Sequence, residues 1–210
     1  MSSSYKVKQI TSLYNSCNEC GLPIINCFCS KIEKVESKAM ICILSTEKEF
    51  YRPSNTARLL KLVNPVSTKI FLWERKNKPN ELLEILNNEE YEPYLLFPTE
   101  DLERKVEYKK TEKIPVFIIL DGTWKEARKL FRKSDYLNNI PIVSIEPNFK
   151  SKYDLRRGVE SGNLCTIEAA MEILKLNGEV NNAKVINEVY TLFLKSYKAG
   201  ISGHCLKDSI

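Results

Sequence analysis

The sequence predicts an α/β domain: a mostly parallel β-sheet with helices on both faces. Three observations predict it. Short apolar runs recur along the chain, they are continuous rather than alternating, and longer amphipathic segments separate or follow them. A continuous apolar run is expected of a strand buried on both faces, and strands alternating with helices build parallel sheets.

The elements follow in chain order. Residues 1–16 are polar and are expected to fray, and residues 17–29 hold four of the seven cysteines. Ala39–Leu44 reads as the first strand. Pro53-Ser54-Asn55 supplies capping chemistry for a helix over Asn55–Val63. Thr68–Trp73 reads as the second strand, Asn80–Asn88 as a helix and Tyr94–Phe97 as the third strand. Pro115–Leu120 is the fourth strand, Thr123–Ser134 a helix and Pro141–Ile145 the fifth strand. Thr166–Leu176 and Asn182–Lys198 read as the last two helices. The expected division is an N-terminal cysteine segment over 1–37, a main domain over 38–199 and a loosely held tail over 200–210.

A chain of 210 residues fits one domain with a small appendage. Hydrophobic residues at 43% and charged residues at 28% exclude wholesale disorder. The apolar run Pro115–Leu120 is far too short to cross a bilayer, and Met1–Lys8 has no apolar core of a secretory signal. A cytoplasmic location without a membrane partner is therefore expected. The net charge of +5 permits a polyanionic partner without demanding one. With no export signal the cysteines are expected as thiols, so a cluster of them points to metal or catalysis before disulfides.

Ligands of parallel sheets bind at the carboxyl ends of the strands. That rule directs attention to Ser45–Arg58, Pro98-Thr99, Asp121–Trp124 and the stretch from Tyr153 to Thr166. The cysteines are spaced Cys17-x2-Cys20-x6-Cys27-x-Cys29, with Gly21 and Pro23 to turn the chain. Four thiolates at this range suit tetrahedral Zn²⁺ and leave no open position, which makes the site structural. Cys42, Cys165 and Cys205 read as ordinary small side chains. Asp121 has two readings: a carboxylate aimed at a ligand, or a cap for the helix that follows. Trp124 correspondingly stacks on a ligand or fills core. Lys125, Arg128, Lys129, Arg132 and Lys133 fall on one helix face, and Ala127, Leu130 and Phe131 on the other. Such a face is either plainly solvated or holds phosphates. Lys150, Lys152, Arg156 and Arg157, with Tyr153 among them, form a second basic cluster, and two clusters beside one pocket favour a phosphate backbone. Arg52–Arg58 reads as an anion site at a helix N-terminus or as simple capping. His204 sits in the tail, so mechanisms that need a histidine base are not expected.

These residues resemble the DTW-domain family. Asp121-Gly122-Thr123-Trp124 resembles the Asp-x-Thr-Trp signature. The cysteine cluster, Arg52–Leu59, Leu96-Phe97-Pro98, Tyr153-x-Leu155-Arg156-Arg157 and Leu164-Cys165-Thr166-x-Glu168-Ala169 occur in the family's order, over about residues 17–175. In one place the chain departs: the family usually has His-Pro after the first strand, and here Thr46-Glu47 stand there, with the matching Glu49 beyond. The resemblance implies a tRNA-uridine aminocarboxypropyltransferase. Such an enzyme moves the 3-amino-3-carboxypropyl group of S-adenosylmethionine, its co-substrate, to N3 of a uridine and releases 5′-methylthioadenosine. It also implies a SPOUT-like fold knotted around the S-adenosylmethionine site. That reaction needs a base for the uridine N3 proton, and Asp121 is the best-placed carboxylate for it, with a binding role as the other reading. By the same resemblance Leu96, Phe97, Pro98, Thr123, Trp124, Leu164, Cys165, Thr166 and Glu168 line the S-adenosylmethionine site. Arg52, Asn55, Thr56, Arg58, Lys125, Arg128, Lys129, Tyr153, Arg156 and Arg157 contact tRNA or the methionine carboxylate. A SPOUT-like RNA methyltransferase and a non-catalytic zinc-containing RNA-binding module are the alternatives.

Overall fold

The structure is a computed structural model that describes residues 5–98, 103–145, 151–153, 155 and 164–206. Thr99, Lys150, Arg156 and Arg157, singled out above, lie outside the described residues. Five strands form the sheet: β1 Met40–Ser45, β2 Thr68–Leu72, β3 Tyr91–Leu96, β4 Ile114–Asp121 and β5 Ile142–Val143. Among the described residues six α-helices accompany them: α1 Glu47–Tyr51, α2 Thr56–Val63, α3 Asn80–Asn87, α4 Trp124–Lys133, α5 Thr166–Leu176 and α6 Val180–Ile201. The strand order is β2-β1-β4-β3-β5, with every pair parallel.

The apolar runs are continuous because both sheet faces are covered. Ile41, Ile43, Phe117 and Ile119 point to one face and pack with residues of α2, α5 and α6. Cys42, Leu44, Val116, Ile118 and Leu120 point to the other, against α3 and α4. Each such Ile or Leu, fully buried, contributes roughly 1.5–3 kcal/mol. In register, Ser45 lies beside Asp121 and Leu96 beside Ile119. The strand ends that carry the motifs thus lie side by side.

The cysteine segment belongs to the same body. Cys20, Leu22 and Phe28 are buried in the core cluster of the α5–α6 face. An antiparallel bridge between Ser16 and Pro23 closes its turn. Gly200 and Ile201, expected in the tail, end α6. A Cβ on Gly200 would sit 2.8 Å from Cγ of Pro23, so this glycine admits a close approach of the cysteine segment rather than ending the helix. His204 and Leu206 are held as well: the Asn26 side chain donates to the His204 carbonyl at 2.9 Å and accepts from the Leu206 amide at 2.8 Å.

Other differences have local causes. β3 starts at Tyr91 although Glu92 and Pro93 break its apolar run. Within β3, only Leu95 and Leu96 pair with β5, so the amino-terminal part of β3 tolerates a proline without an N–H. α1 is too short for periodicity to show, a five-residue turn begun by the Glu49 amide bonding the Thr46 carbonyl at 3.0 Å. The structure does not bear on the knot implied by the resemblance, since residues 146–150, 154 and 156–163 between β5 and α5 lie outside the described residues.

Candidate active site and metal centre

Asp121 ends the central strand β4 and is 3% exposed. It does not cap α4. That job belongs to Thr123, whose hydroxyl accepts from the Glu126 amide at 3.3 Å while Glu126 Oε2 accepts from the Thr123 amide at 2.8 Å. Gly122 keeps this turn open, because a Cβ there would lie 2.9 Å from Cβ of Glu126. The Asp121 carboxylate instead gathers donors from three elements. Oδ2 accepts from Ser45 Oγ at 2.7 Å and from Asn55 Nδ2 at 2.8 Å, and Oδ1 accepts from Thr166 Oγ1 at 2.5 Å. A carboxylate offers about four lone-pair positions. Among the described residues three are filled, and the remaining one is on Oδ1.

Asn55 is the hinge of this network. Its Oδ1 caps α2 by accepting from the Arg58 amide at 3.0 Å. Its Nδ2 donates both to Asp121 and, at 3.0 Å, to Oε2 of Glu49. Glu49 is 1% exposed and is ion-paired to Arg52. Arg52 is partly exposed and lies 4.0 Å from Oε2 of Glu126, between the turn of α1 and the start of α4. Arg58 is turned inward. It donates to the Arg52 carbonyl at 2.9 Å and to the Phe50 carbonyl at 2.5 Å. Burial pulls its guanidinium below the usual pKa, and Cys20, Asp121 and Cys17 oppose that shift. Thr56, also buried, accepts from the Ile167 amide at 3.4 Å and ties α2 to α5.

Several expected ligand contacts are occupied by the protein. Glu168 is 1% exposed, and four protein donors bond it. The Cys165 amide and Ser151 Oγ reach Oε2 at 3.0 and 2.6 Å, while the Lys152 amide and Tyr190 hydroxyl reach Oε1 at 2.8 and 3.3 Å. Tyr153 is buried, and its hydroxyl donates to the Ser54 carbonyl at 3.0 Å. The Phe97 ring stacks on Phe131 with centroids 4.4 Å apart, and Trp124 meets it edge-on at 6.0 Å. Burial raises the Cys165 thiol to about 12, which removes it as a nucleophile. Pro98 is exposed, and Leu164, Thr166 and Leu96 are half-buried around the strand ends. Lys125, Arg128, Lys129, Arg132 and Lys133 are all exposed, while Ala127 and Leu130 on the opposite face are buried. The helix therefore presents its cations to solvent, beginning four residues after Asp121.

Cys17, Cys20, Cys27 and Cys29 converge so that all four sulfurs lie within 4.8 Å of one another. The Cys17–Cys29 and Cys20–Cys27 sulfur separations are 3.9 and 3.8 Å. A zinc tetrahedron with Zn–S bonds of about 2.3 Å has edges of about 3.8 Å, so the donor set fits. The thiols favour a cation. Hydrogen bonding from Cys29, with further help from the Leu22 amide, brings Cys20 down to about 6. Burial holds Cys27 up at about 11, and Cys29 is pushed up by its bond to Cys20 and by burial. Thiolates gathered this closely repel one another, and a bound cation relieves that repulsion.

Compared with known families, residues 14–198 match the DTW domain. The chain belongs to the DTW domain family. It is 28% identical over 170 residues to a Drosophila melanogaster protein named tRNA-uridine aminocarboxypropyltransferase 2, a match that covers 76% of this chain and 65% of that relative. No solved structure matches. No helix among the described residues is long and apolar enough to cross a membrane.

In this DTW domain, Ser45 was placed in a candidate loop without a role of its own, and Ser151 and Tyr190 were not singled out. Ser45 carried a usable signal: it is the polar residue that ends the first apolar run, as Asp121 ends the fourth. Ser151 and Tyr190 carried none, since their partner Glu168 is distant in sequence from both.

Proposed function

We propose that this protein is an S-adenosylmethionine-dependent tRNA-uridine aminocarboxypropyltransferase. The observation that carries the reading is Asp121: a buried carboxylate at the carboxyl end of the central strand, oriented by Ser45, Asn55 and Thr166, with one acceptor position on Oδ1 that none of the described residues fills. The reaction needs that group. Uridine N3 carries a weakly acidic proton that must leave as N3 attacks carbon, and Oδ1 receives it. The new bond joins N3 to the aminocarboxypropyl carbon, and the bond from that carbon to sulfur breaks. The sulfonium of S-adenosylmethionine supplies its own leaving group, so no general acid is needed at sulfur.

The chain's own residues then orient and bind. Arg52, half-exposed beside the network, takes a carboxylate or phosphate. Thr46 Oγ1 is buried without a partner among the described residues and supplies a hydroxyl where the family usually has histidine. Leu96, Pro98, Leu164 and Thr166 surround the adenosine. The exposed cations of α4 hold tRNA phosphates. Arg156 and Arg157, outside the described residues, remain assigned to the methionine carboxylate or a phosphate. Glu168, Tyr153, Thr56 and Arg58 hold loops in place instead of touching substrate. Zn²⁺ at the four cysteines is structural, and a cytoplasmic setting, where thiols stay reduced, suits it. The division into a cysteine segment and a catalytic domain over 38–199 belongs to the same proposal.

The test is mass spectrometry of nucleosides from tRNA incubated with the protein and S-adenosylmethionine. The expected products are aminocarboxypropyluridine and 5′-methylthioadenosine. S-adenosylhomocysteine with a methylated nucleoside would make the protein a methyltransferase, and tRNA binding without turnover would make it a binding module.

A further inference from the structure

Between the cysteine centre and the Asp121 network lies one side chain, Arg58. Its guanidinium lies against the cysteine turn, and its backbone amide bonds the Asp121 network through Asn55. On one side, a Cβ built on Gly21, the residue after Cys20, would lie 3.1 Å from an Arg58 terminal nitrogen and 2.5 Å from the Pro53 carbonyl. Only a glycine, here at φ 82°, lets the cysteine turn press this closely onto the 52–58 loop. On the other side, Arg58 bonds the carbonyls of Phe50 and Arg52. Its own amide bonds Asn55, which bonds Asp121.

A zinc ion with four thiolates carries two net negative charges. Partly buried, such a centre gains from a cation close by, and its binding depends on the groups around the ligands. We infer that Arg58 is the positioning residue that joins the two sites: its charge balances the metal–thiolate centre, and its planar fork holds the 50–55 backbone that aims Asn55 at Asp121. The two jobs use different properties of the side chain. Balance needs the positive charge, whereas the clamp needs two donors in a fixed plane, which lysine lacks. The inference rests on zinc occupying the cysteine centre and not on the group transferred.

The experiment compares the zinc-loaded full-length protein with Arg58→Met and Arg58→Lys. Zinc release to a chromogenic chelator is read first. Arg58→Met should weaken zinc binding roughly 10–100-fold, the usual effect of losing a group that supports metal ligands. Arg58→Lys should hold zinc nearly as well as the parent. Hydrogen exchange is read second, at the Arg52 and Asn55 amides, which bond the Glu49 and Arg52 carbonyls at 3.2 Å. Both variants should exchange faster there and unchanged in β4. Stripping zinc from the parent should do the same, which covers the case in which Arg58→Met does not fold. Zinc held equally by all three proteins would overturn the charge role. Unchanged exchange at 52 and 55, or a uniform rise that includes β4, would overturn the clamp. A parent protein that purifies without metal would overturn the zinc reading itself.

Discussion

Changing Asp121 to Asn tests the proposed chemistry most directly, and the structure says how the new side chain must sit. Oδ2 faces two donors, Ser45 Oγ and Asn55 Nδ2, and an amide NH₂ there would oppose the Asn55 NH₂. The Asn oxygen must therefore take the Oδ2 place. Its nitrogen then faces Thr166 Oγ1, which can accept as well as donate, and the open position on Oδ1 becomes a donor. Three charge-assisted bonds become neutral ones at a cost of about 1 kcal/mol each, offset in part by no longer burying a charge. A loss of about 1–2 kcal/mol is expected, too little to unfold a domain of this size. The chemical step should suffer more. A positioned base contributes roughly 10²–10⁴ in rate, about 2.7–5.4 kcal/mol at 1.36 kcal/mol per decade. The assay is single-turnover formation of 5′-methylthioadenosine with enzyme in excess, alongside calorimetric binding of S-adenosylmethionine and thermal melting. A transfer rate within tenfold of the parent, with binding intact, refutes the base role. A rate loss explained by lost affinity makes Asp121 a binding residue.

Other outcomes follow from the same geometry. Protein purified without added zinc should carry about one Zn²⁺ per chain, with Zn–S distances near 2.3 Å by X-ray absorption; a metal-free protein would end that reading. Charge reversal at Lys125, Arg128 and Lys129 should weaken tRNA binding and lower the log–log salt slope by roughly 0.7–0.9 per lost phosphate contact, and an unchanged slope returns α4 to a solvated face. Gly200→Ala gains up to about 1 kcal/mol of helix propensity but places a methyl 2.8 Å from Pro23, a crowding worth about 1–3 kcal/mol; a higher melting temperature would show the contact is not tight. Cys42, fully buried in β1, has its thiol raised to about 12 by desolvation. In the unfolded chain it ionises near 8.5, so the contribution is intact below that pH and is lost at about 1.4 kcal/mol per pH unit between there and about 12. Urea midpoints between pH 8 and 11 should fall more steeply for the parent than for Cys42→Ala.

Much of the molecule was legible in the residues because the signals were local. A strand buried on both faces needs an unbroken apolar run, and β1 and β4 show one. A helix with one buried face needs apolar residues at helical spacing, and α4 shows that with its cations opposite. Four cysteines within 13 residues declare a cluster by proximity alone. What the sequence by itself left open concerned which of two partners a polar group chooses. Asp121 had two plausible jobs, and the choice was made by Thr123 taking the cap while Ser45, Asn55 and Thr166 came to the carboxylate from 76, 66 and 45 residues away. Arg58 and Glu168 read as ligand contacts because they are charged residues in motif loops, yet the fold turns both inward to hold backbone. Gly200 read as the start of a loose tail, and the packing of Pro23 against it made it a point of contact within α6. Local spacing encodes which face of an element is apolar. The pairing of polar groups across elements depends on which strands and loops become neighbours, and that is settled only when the sheet order brings the ends of β1 and β4 side by side.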